Sequence, residues 1–305
     1  MVDDHNKPNE QIIFGSPSTN DPVLKADSAG FTIPFTIVGK LIILQAKIDK
    51  TEGNFVLDTG APGLVLNKTY FRNLEPVNTD ETSTGVNGTG NSTERVAVNH
   101  IKFGAFNYYK TEADLLSLSH LENSRGIKIL GLLGVNLFKE CEMVIDYEKK
   151  IIHLHCINRK QKKTYKNLML TDSTSFTEHS FILKNNRIVL NTFFAKKRMD
   201  FVIDCGAETN LLDSRLPDNL LDSVQVNGRV LITGTGTKKV EAVTGSLAGL
   251  SIEGLDLPEM PVVITNFENS CFGDDNCIKG VLGHDFLSNY KVIFNFVSCK
   301  LYIIK

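Results

Sequence analysis

Tryptophan is absent from the 305 residues, and no window holds 18 consecutive apolar residues. The second absence excludes a helix that spans a bilayer. A surplus of one charge is also missing. Thirty-three Lys and Arg face 35 Asp and Glu, for a formal net charge of -2. That balance argues against a nucleic-acid partner and against an acidic solvating tail. No two Cys/His pairs lie close together, so no metal site is expected. Six cysteines, at 141, 156, 205, 271, 277 and 299, are too few for a disulfide scaffold. What remains, 42% hydrophobic and 22% charged residues, is ordinary globular composition in a chain long enough for two lobes.

The polar start Met1–Lys7 has no basic region followed by an apolar stretch, so no export signal is read there. The same start would also remain after a signal had been left off. The even cysteine count and the β character lean slightly towards an exported protein, periplasmic or surface-attached. Cys271 and Cys277 bracket a polar turn segment and could close a small loop. Cys141 and Cys156 flank a predicted hairpin turning at Glu148–Lys149. A cross-strand bond and two buried thiols fit that placement equally well.

Short strands separated by Gly, Asn, Asp and Thr fill most of the chain. They are read at Phe31–Val38, Leu41–Ile48, Asn54–Leu57, Val96–Phe103, Glu142–Tyr147, Ile151–His155, Ile188–Phe194, Met199–Ile203, Val292–Phe296 and Lys300–Ile304. One or two helical turns are expected at Leu64–Phe71 and at Leu211–Leu216. Short helices are expected at Val135–Phe138 and Asp285–Asn289. The fold class is therefore all-β and mostly antiparallel.

The chain also repeats itself. Phe55-Val56-Leu57-Asp58-Thr59-Gly60-Ala61 returns as Phe201-Val202-Ile203-Asp204-Cys205-Gly206-Ala207, 146 residues later. Gly131-Leu132-Leu133-Gly134 returns as Gly280-Val281-Leu282-Gly283, 149 residues later. Met143–Tyr147 is matched with Lys291–Asn295. Three signals in one order at nearly constant spacing predict two similar lobes, 12–158 and 175–305. A tail at 1–11 and a linker region at 159–174 complete the chain.

Each Asp motif is an apolar strand that ends in Asp, a small or polar residue, Gly and Ala. A reactive carboxylate must be held rigidly, and a strand emerging into a tight loop does so. Gly60 and Gly206 permit close backbone approach and leave amides to bond a carboxylate. Two such loops meeting across a pseudo-twofold axis would make their carboxyls share one proton, because like charges at that distance cannot both ionise cheaply.

These residues resemble the aspartic protease superfamily, the pepsin-like and retropepsin-like peptidases. The resemblance rests on Asp58-Thr59-Gly60-Ala61, on Asp204-Cys205-Gly206-Ala207, and on the apolar elements ending at Gly134 and Gly283. It covers nearly all of the chain outside the tail and linker. It implies a bilobal acid-protease fold resembling two retropepsin-like lobes in tandem. It implies Asp58 and Asp204 as catalytic carboxylates, with Thr59, Gly60, Cys205 and Gly206 supporting them. Gly134 and Gly283 would thread behind the Asp loops. The implied substrate is a peptide or protein, hydrolysed by a monomer without cofactor or metal. The resemblance also implies flaps. The candidates are Gly85, Val86, Asn87 and Gly88 in the first lobe, and Gly234, Thr235 and Gly236 in the second; glycine there favours a closing hairpin.

Cys205 departs from the family, which has Thr or Ser at that position. A thiol is a larger atom and a weaker donor. The second half of the support is therefore expected to be looser, with activity retained. A non-catalytic or weakly active peptide-binding protein is the competing expectation. Catalysis by Cys205 is not favoured, since two neighbouring carboxyls would raise its pKa. The segment Gly234–Lys239 lacks the phosphate-loop pattern, and the lysines of 160–166 read as a solvated linker. Asn67, Asn87 and Asn91 match the glycosylation pattern only as three-residue coincidences.

Overall fold

A computed structural model describes residues 12–14, 23–26, 30–77, 94–157, 162, 164–233, 239–268 and 278–304. The flap candidates at 85–88 and 234–236 lie outside the described residues, as do Cys271 and Cys277. Among the described residues the strands form two sheets, of ten and fifteen strands. The architecture is all-β and bilobal. No helix of these residues is long and apolar enough to cross a membrane.

The same four-strand unit is built twice. In the first half, the hairpin Leu41–Ile48/Thr51–Leu57 brings up the Asp strand. The strand Gly131–Leu133 then runs parallel to it, with Phe55 opposite Gly131 and Leu57 opposite Leu133. Leu64–Asn67 pairs antiparallel on the other side. In the second half, Arg187–Phe194/Lys197–Ile203 forms the hairpin. Ile278–Leu282 runs parallel to it, with Phe201 opposite Gly280 and Ile203 opposite Leu282. Asn210–Asp213 completes the unit. The registers coincide residue for residue. The glycine opposite each Phe suits this register, since a Cβ on Gly131 would lie 2.8 Å from the Phe55 ring and one on Gly280 would lie 2.1 Å from the Phe201 ring.

Two expectations fail here. Leu64–Phe71 and Leu211–Leu216 are not helical; they begin as the strands Leu64–Asn67 and Asn210–Asp213. All four residues of each strand are buried. Each lies between a parallel and an antiparallel neighbour. Covered on both faces, such strands read as continuous apolar runs that cannot be told from helix by periodicity. The short helices after the threading glycines do form, at Val135–Phe138 and His284–Leu287.

One sheet is shared by both halves. It is one end of the fifteen-stranded sheet, where the strands run Gly30–Pro34, Ile151–Cys156, Cys141–Asp146, Lys291–Asn295, Lys300–Ile304, Phe176–Lys184. At its centre Cys141–Asp146 pairs antiparallel with Lys291–Asn295, Met143 opposite Phe294 and Val144 opposite Ile293. This centre corrects the third recurrence by one residue. Asp146 and Asn295 each end a strand, and each accepts from the amide three residues on: Lys149 N–H at 2.9 Å and Ser298 N–H at 2.9 Å. The true partner of Asp146 is thus Asn295, at the 149-residue spacing of the second recurrence. Side chains alternate across a strand, so the one-residue error would have exchanged its faces.

Two residues of the segment 159–174, Tyr165 and Asn167, also reach the shared sheet. Glu142 is buried at 2% exposure. Its carboxylate accepts from Tyr165 Oη at 2.8 Å, from Asn167 Nδ2, and from Asn295 Nδ2 at 2.9 Å. A buried carboxylate needs such donors, and here they come from the linker region and the opposite half. Cys141 and Cys156 stand opposite each other as free, buried thiols, their sulfurs 3.8 Å apart. Asn67 is fully buried and bonds Glu122 and Ile129 O, so it offers no surface for a glycan.

Candidate active site

Each Asp stands one residue beyond the end of its strand. The strand's hydrogen bonding continues through it: Asp58 N–H donates to Leu133 O at 3.0 Å, and Asp204 N–H to Leu282 O at 3.0 Å. The loop then turns back. Ala61 N–H reaches Asp58 O at 3.3 Å, and Ala207 N–H reaches Asp204 O at 3.2 Å. The threading strand closes the knot behind it, with Val135 N–H on Ala61 O at 3.0 Å and His284 N–H on Ala207 O at 2.8 Å. Only glycine fits at this crossing. A Cβ on Gly134 would lie 2.2 Å from Gly63 O, and one on Gly283 would lie 2.6 Å from Ala207 O.

The two loops meet. Gly60 N–H donates to Asp58 Oδ1 at 2.9 Å and also to Asp204 Oδ1 at 3.1 Å. Ala61 N–H gives Asp58 Oδ1 a further bond at 2.9 Å, and Gly206 N–H serves Asp204 Oδ1 at 2.8 Å. Each loop glycine packs on the opposite carboxyl. A Cβ on Gly60 would fall 2.3 Å from Asp204 Oδ2, and one on Gly206 would fall 2.5 Å from Asp58 Cγ.

Below the carboxyls, Thr59 and Cys205 lock the loops together. Thr59 Oγ1 donates to Ile203 O at 3.0 Å and accepts from Cys205 N–H at 2.9 Å. In return, Cys205 Sγ–H donates to Leu57 O at 3.3 Å, and Sγ accepts from Thr59 N–H at 3.4 Å. The thiol reproduces both bonds of a hydroxyl at lengths suited to sulfur.

Burial raises both carboxyl pKa values. For Asp58, the hydrogen bond with Asp204, the Ala61 and Gly60 amides and the charge of Arg187 act against that rise. Asp204 is raised well above the carboxylate range, by burial first and then by the charge of Asp58. Burial and the two carboxyls also push the Cys205 thiol far up. A thiol so protonated, with no exposed surface, is no nucleophile. His284 packs edge-on against Tyr147 instead, ring centroids 5.4 Å apart.

A family model described as aspartyl protease matches residues 44–137 and 191–286, one Asp motif in each segment and more than half of the chain in all. The chain belongs to the aspartyl protease family. No curated protein matches the sequence. Among the described residues of this aspartyl protease family member, no group of three or more His, Cys, Asp or Glu is placed to hold a metal ion.

Several residues at the site went unnoticed in the sequence. Arg187 Nε–H donates to Gly60 O at 3.2 Å, across the two halves. Tyr147 lies near Asp204 and Cys205, and burial raises its hydroxyl pKa well above normal. Two ion pairs cross between the halves beside the loops. Lys40 pairs with Asp285, which also accepts from Thr209 Oγ1 at 2.8 Å, and Arg125 pairs with Glu208. A signal for Arg187 did exist, since superposing the repeat sets this charge against Leu41.

Proposed function

We propose that the chain is an aspartic endopeptidase whose catalytic residues are Asp58 and Asp204. The observation that carries this reading is the Gly60 amide, which donates to both carboxylates. Carboxyls sharing one donor are close enough to share one proton, and burial favours the singly ionised pair. The ionised carboxylate takes a proton from a water as its oxygen attacks the scissile amide carbon. The protonated carboxyl gives its proton to the carbonyl oxygen, producing a neutral tetrahedral diol. Collapse breaks the C–N bond: the departing nitrogen takes the proton held by the first carboxyl, and one diol hydroxyl returns its proton to the second, restoring the singly ionised pair. No metal or cofactor enters these steps.

Thr59 and Cys205 hold the loops, and Gly60 and Gly206 let the carboxyls approach. Gly134 and Gly283 lock the loops from behind. One chain supplies both carboxylates, so we take the working unit to be a monomer, with lobes at 12–158 and 175–305. The substrate is an extended peptide lying between the halves. The flap candidates at 85–88 and 234–236 keep that assignment as part of the proposal.

The test is cleavage of a diverse peptide library across pH 3–7 by wild type, Asp58→Asn and Asp204→Asn. Cleavage by wild type that both substitutions abolish supports the reading. No cleavage at any pH would leave a peptide-binding protein with a protease fold. Cleavage by both variants at the wild-type rate would remove the assigned residues.

A further inference from the structure

One of the charged residues that differ between the two halves reaches into an Asp loop. Ile43 pairs with Val56 in the first hairpin, and Val189 with Val202 in the second. That register equates position 41 with position 187. Leu41 is apolar and 2% exposed. Its counterpart is Arg187, whose Nε–H donates to Gly60 O at 3.2 Å.

Gly60 C=O and Ala61 N–H are the two ends of one peptide group. That same N–H donates to Asp58 Oδ1 at 2.9 Å. A chain of two hydrogen bonds therefore runs from the guanidinium, through one peptide, to one carboxylate. Hydrogen bonds in series polarise each other, and a cation at one end strengthens the donor at the other. Both loop alanine amides reach the main-chain O of their own Asp, Ala61 at 3.3 Å and Ala207 at 3.2 Å, and Ala61 adds the bond to the carboxylate. Asp204, the Cys205 thiol and Arg187 are among the ionisable groups that interact with Asp58; Asp58, Cys205 and Tyr147 are among those that interact with Asp204. Burial keeps Cys205 and Tyr147 neutral; beside the loops Lys40 is paired with Asp285 and Arg125 with Glu208, and Arg187 is the cation that acts on Asp58.

We propose that Arg187 is a positioning residue that breaks the twofold symmetry of the carboxyl pair, holding the negative charge on Asp58 and the shared proton on Asp204. The inference rests on the proposed proton-sharing pair and adds which partner is base and which is acid. Arg187 acts through the Gly60–Ala61 peptide, not by touching substrate. The electrostatic directions agree: Arg187 opposes the burial-driven rise at Asp58, while Asp204 rises further.

The experiment is a carboxyl-carbon NMR titration of aspartate-labelled protein from pH 2 to 8. Asp58→Asn and Asp204→Asn assign the two signals. Wild type should show the first ionisation mainly at Asp58. In Arg187→Met that step should move up by about one pH unit, the size expected for losing a nearby opposite charge, and the charge should spread to Asp204. Arg187→Lys should fall between. A first step dominated by Asp204 in wild type would overturn the proposal. So would an unchanged Asp58 titration in Arg187→Met with amide signals elsewhere intact. If that variant fails to fold, Arg187→Gln makes the same test, and the wild-type order decides by itself. Peptide cleavage is scored separately. The expected titration without cleavage sinks the peptidase reading and keeps the charge placement. Cleavage needing both aspartates, with titration indifferent to Arg187, sinks the placement alone.

Discussion

Thr59 and Cys205 exchange hydrogen bonds across the pseudo-twofold axis: Cys205 N–H donates to Thr59 Oγ1 at 2.9 Å, and Thr59 N–H donates to Cys205 Sγ at 3.4 Å. Each side chain also donates to a carbonyl of the opposite strand. The cysteine thus sits in a hydroxyl's place with the connectivity intact. The looseness expected of this half is limited to longer bonds.

Removing that sulfur should be costly, and restoring a hydroxyl should not. Cys205→Ala leaves Thr59 N–H and Leu57 C=O without these partners in a fully buried place. Destabilisation of about 1–3 kcal/mol is expected, with a fall in cleavage of roughly tenfold or more. Cys205→Thr should keep kcat/KM within about threefold of wild type, a change under 1 kcal/mol. Denaturant midpoints and peptide kinetics check both.

Gly60→Ala and Gly206→Ala should act on activity more than on folding. Either new methyl would overlap the opposite carboxyl, at 2.3 Å and 2.5 Å. A shift of about 1 Å at a reacting group costs on the order of 100-fold in rate, whereas overpacking costs about 1–3 kcal/mol in stability. Loss of cleavage with a retained cooperative melt is the expected result.

Asp204→Asn should stabilise the protein near neutral pH. The folded-state pKa of Asp204 is raised, by burial first. Its favourable contribution is therefore complete below the unfolded carboxylate pKa and is lost as pH rises through the folded value. A neutral isostere escapes that loss. Its Tm should exceed wild type by a few degrees at pH 7 and match it near pH 3.

The opposite sign applies at the shared sheet. Asp146 is 3% exposed. Burial raises its pKa, but the Lys291 bond and the Lys149 amide outweigh burial and hold it below the usual range. Its contribution is present above the unfolded pKa and fades as pH falls through the folded one. Lys291→Met removes the 2.8 Å ion pair and should cost about 1–3 kcal/mol at pH 7, with a smaller cost as the pH is lowered to about 3. Urea unfolding at both pH values measures the difference.

The Asp strands and threading strands were legible because their signals are local. Apolar runs, a turn residue and a glycine lie within seven or eight residues, and each occurs twice. The strands at Leu64 and Asn210 carry no period of two, because burial on both faces erases it, and their apolar runs match a helix equally well. The one-residue offset at Asp146 escaped because apolar identity alone does not fix register; the turn hydrogen bonds did. Asn167 and Tyr165 looked like solvated linker, yet they close over Glu142.

The sequence by itself determined two copies of a rigid carboxylate loop, because hydrophobic pattern and glycine placement act over short spans of chain. Only the tertiary structure decided that the loops face each other, and that Arg187 reaches the Gly60 carbonyl 127 positions away. Such contacts depend on how separately encoded hairpins dock, and on the loss of water that docking imposes. The internal repeat makes the halves alike. Their differing charges acquire a place in the site only once docking sets Arg187 of one half on the Gly60 loop of the other.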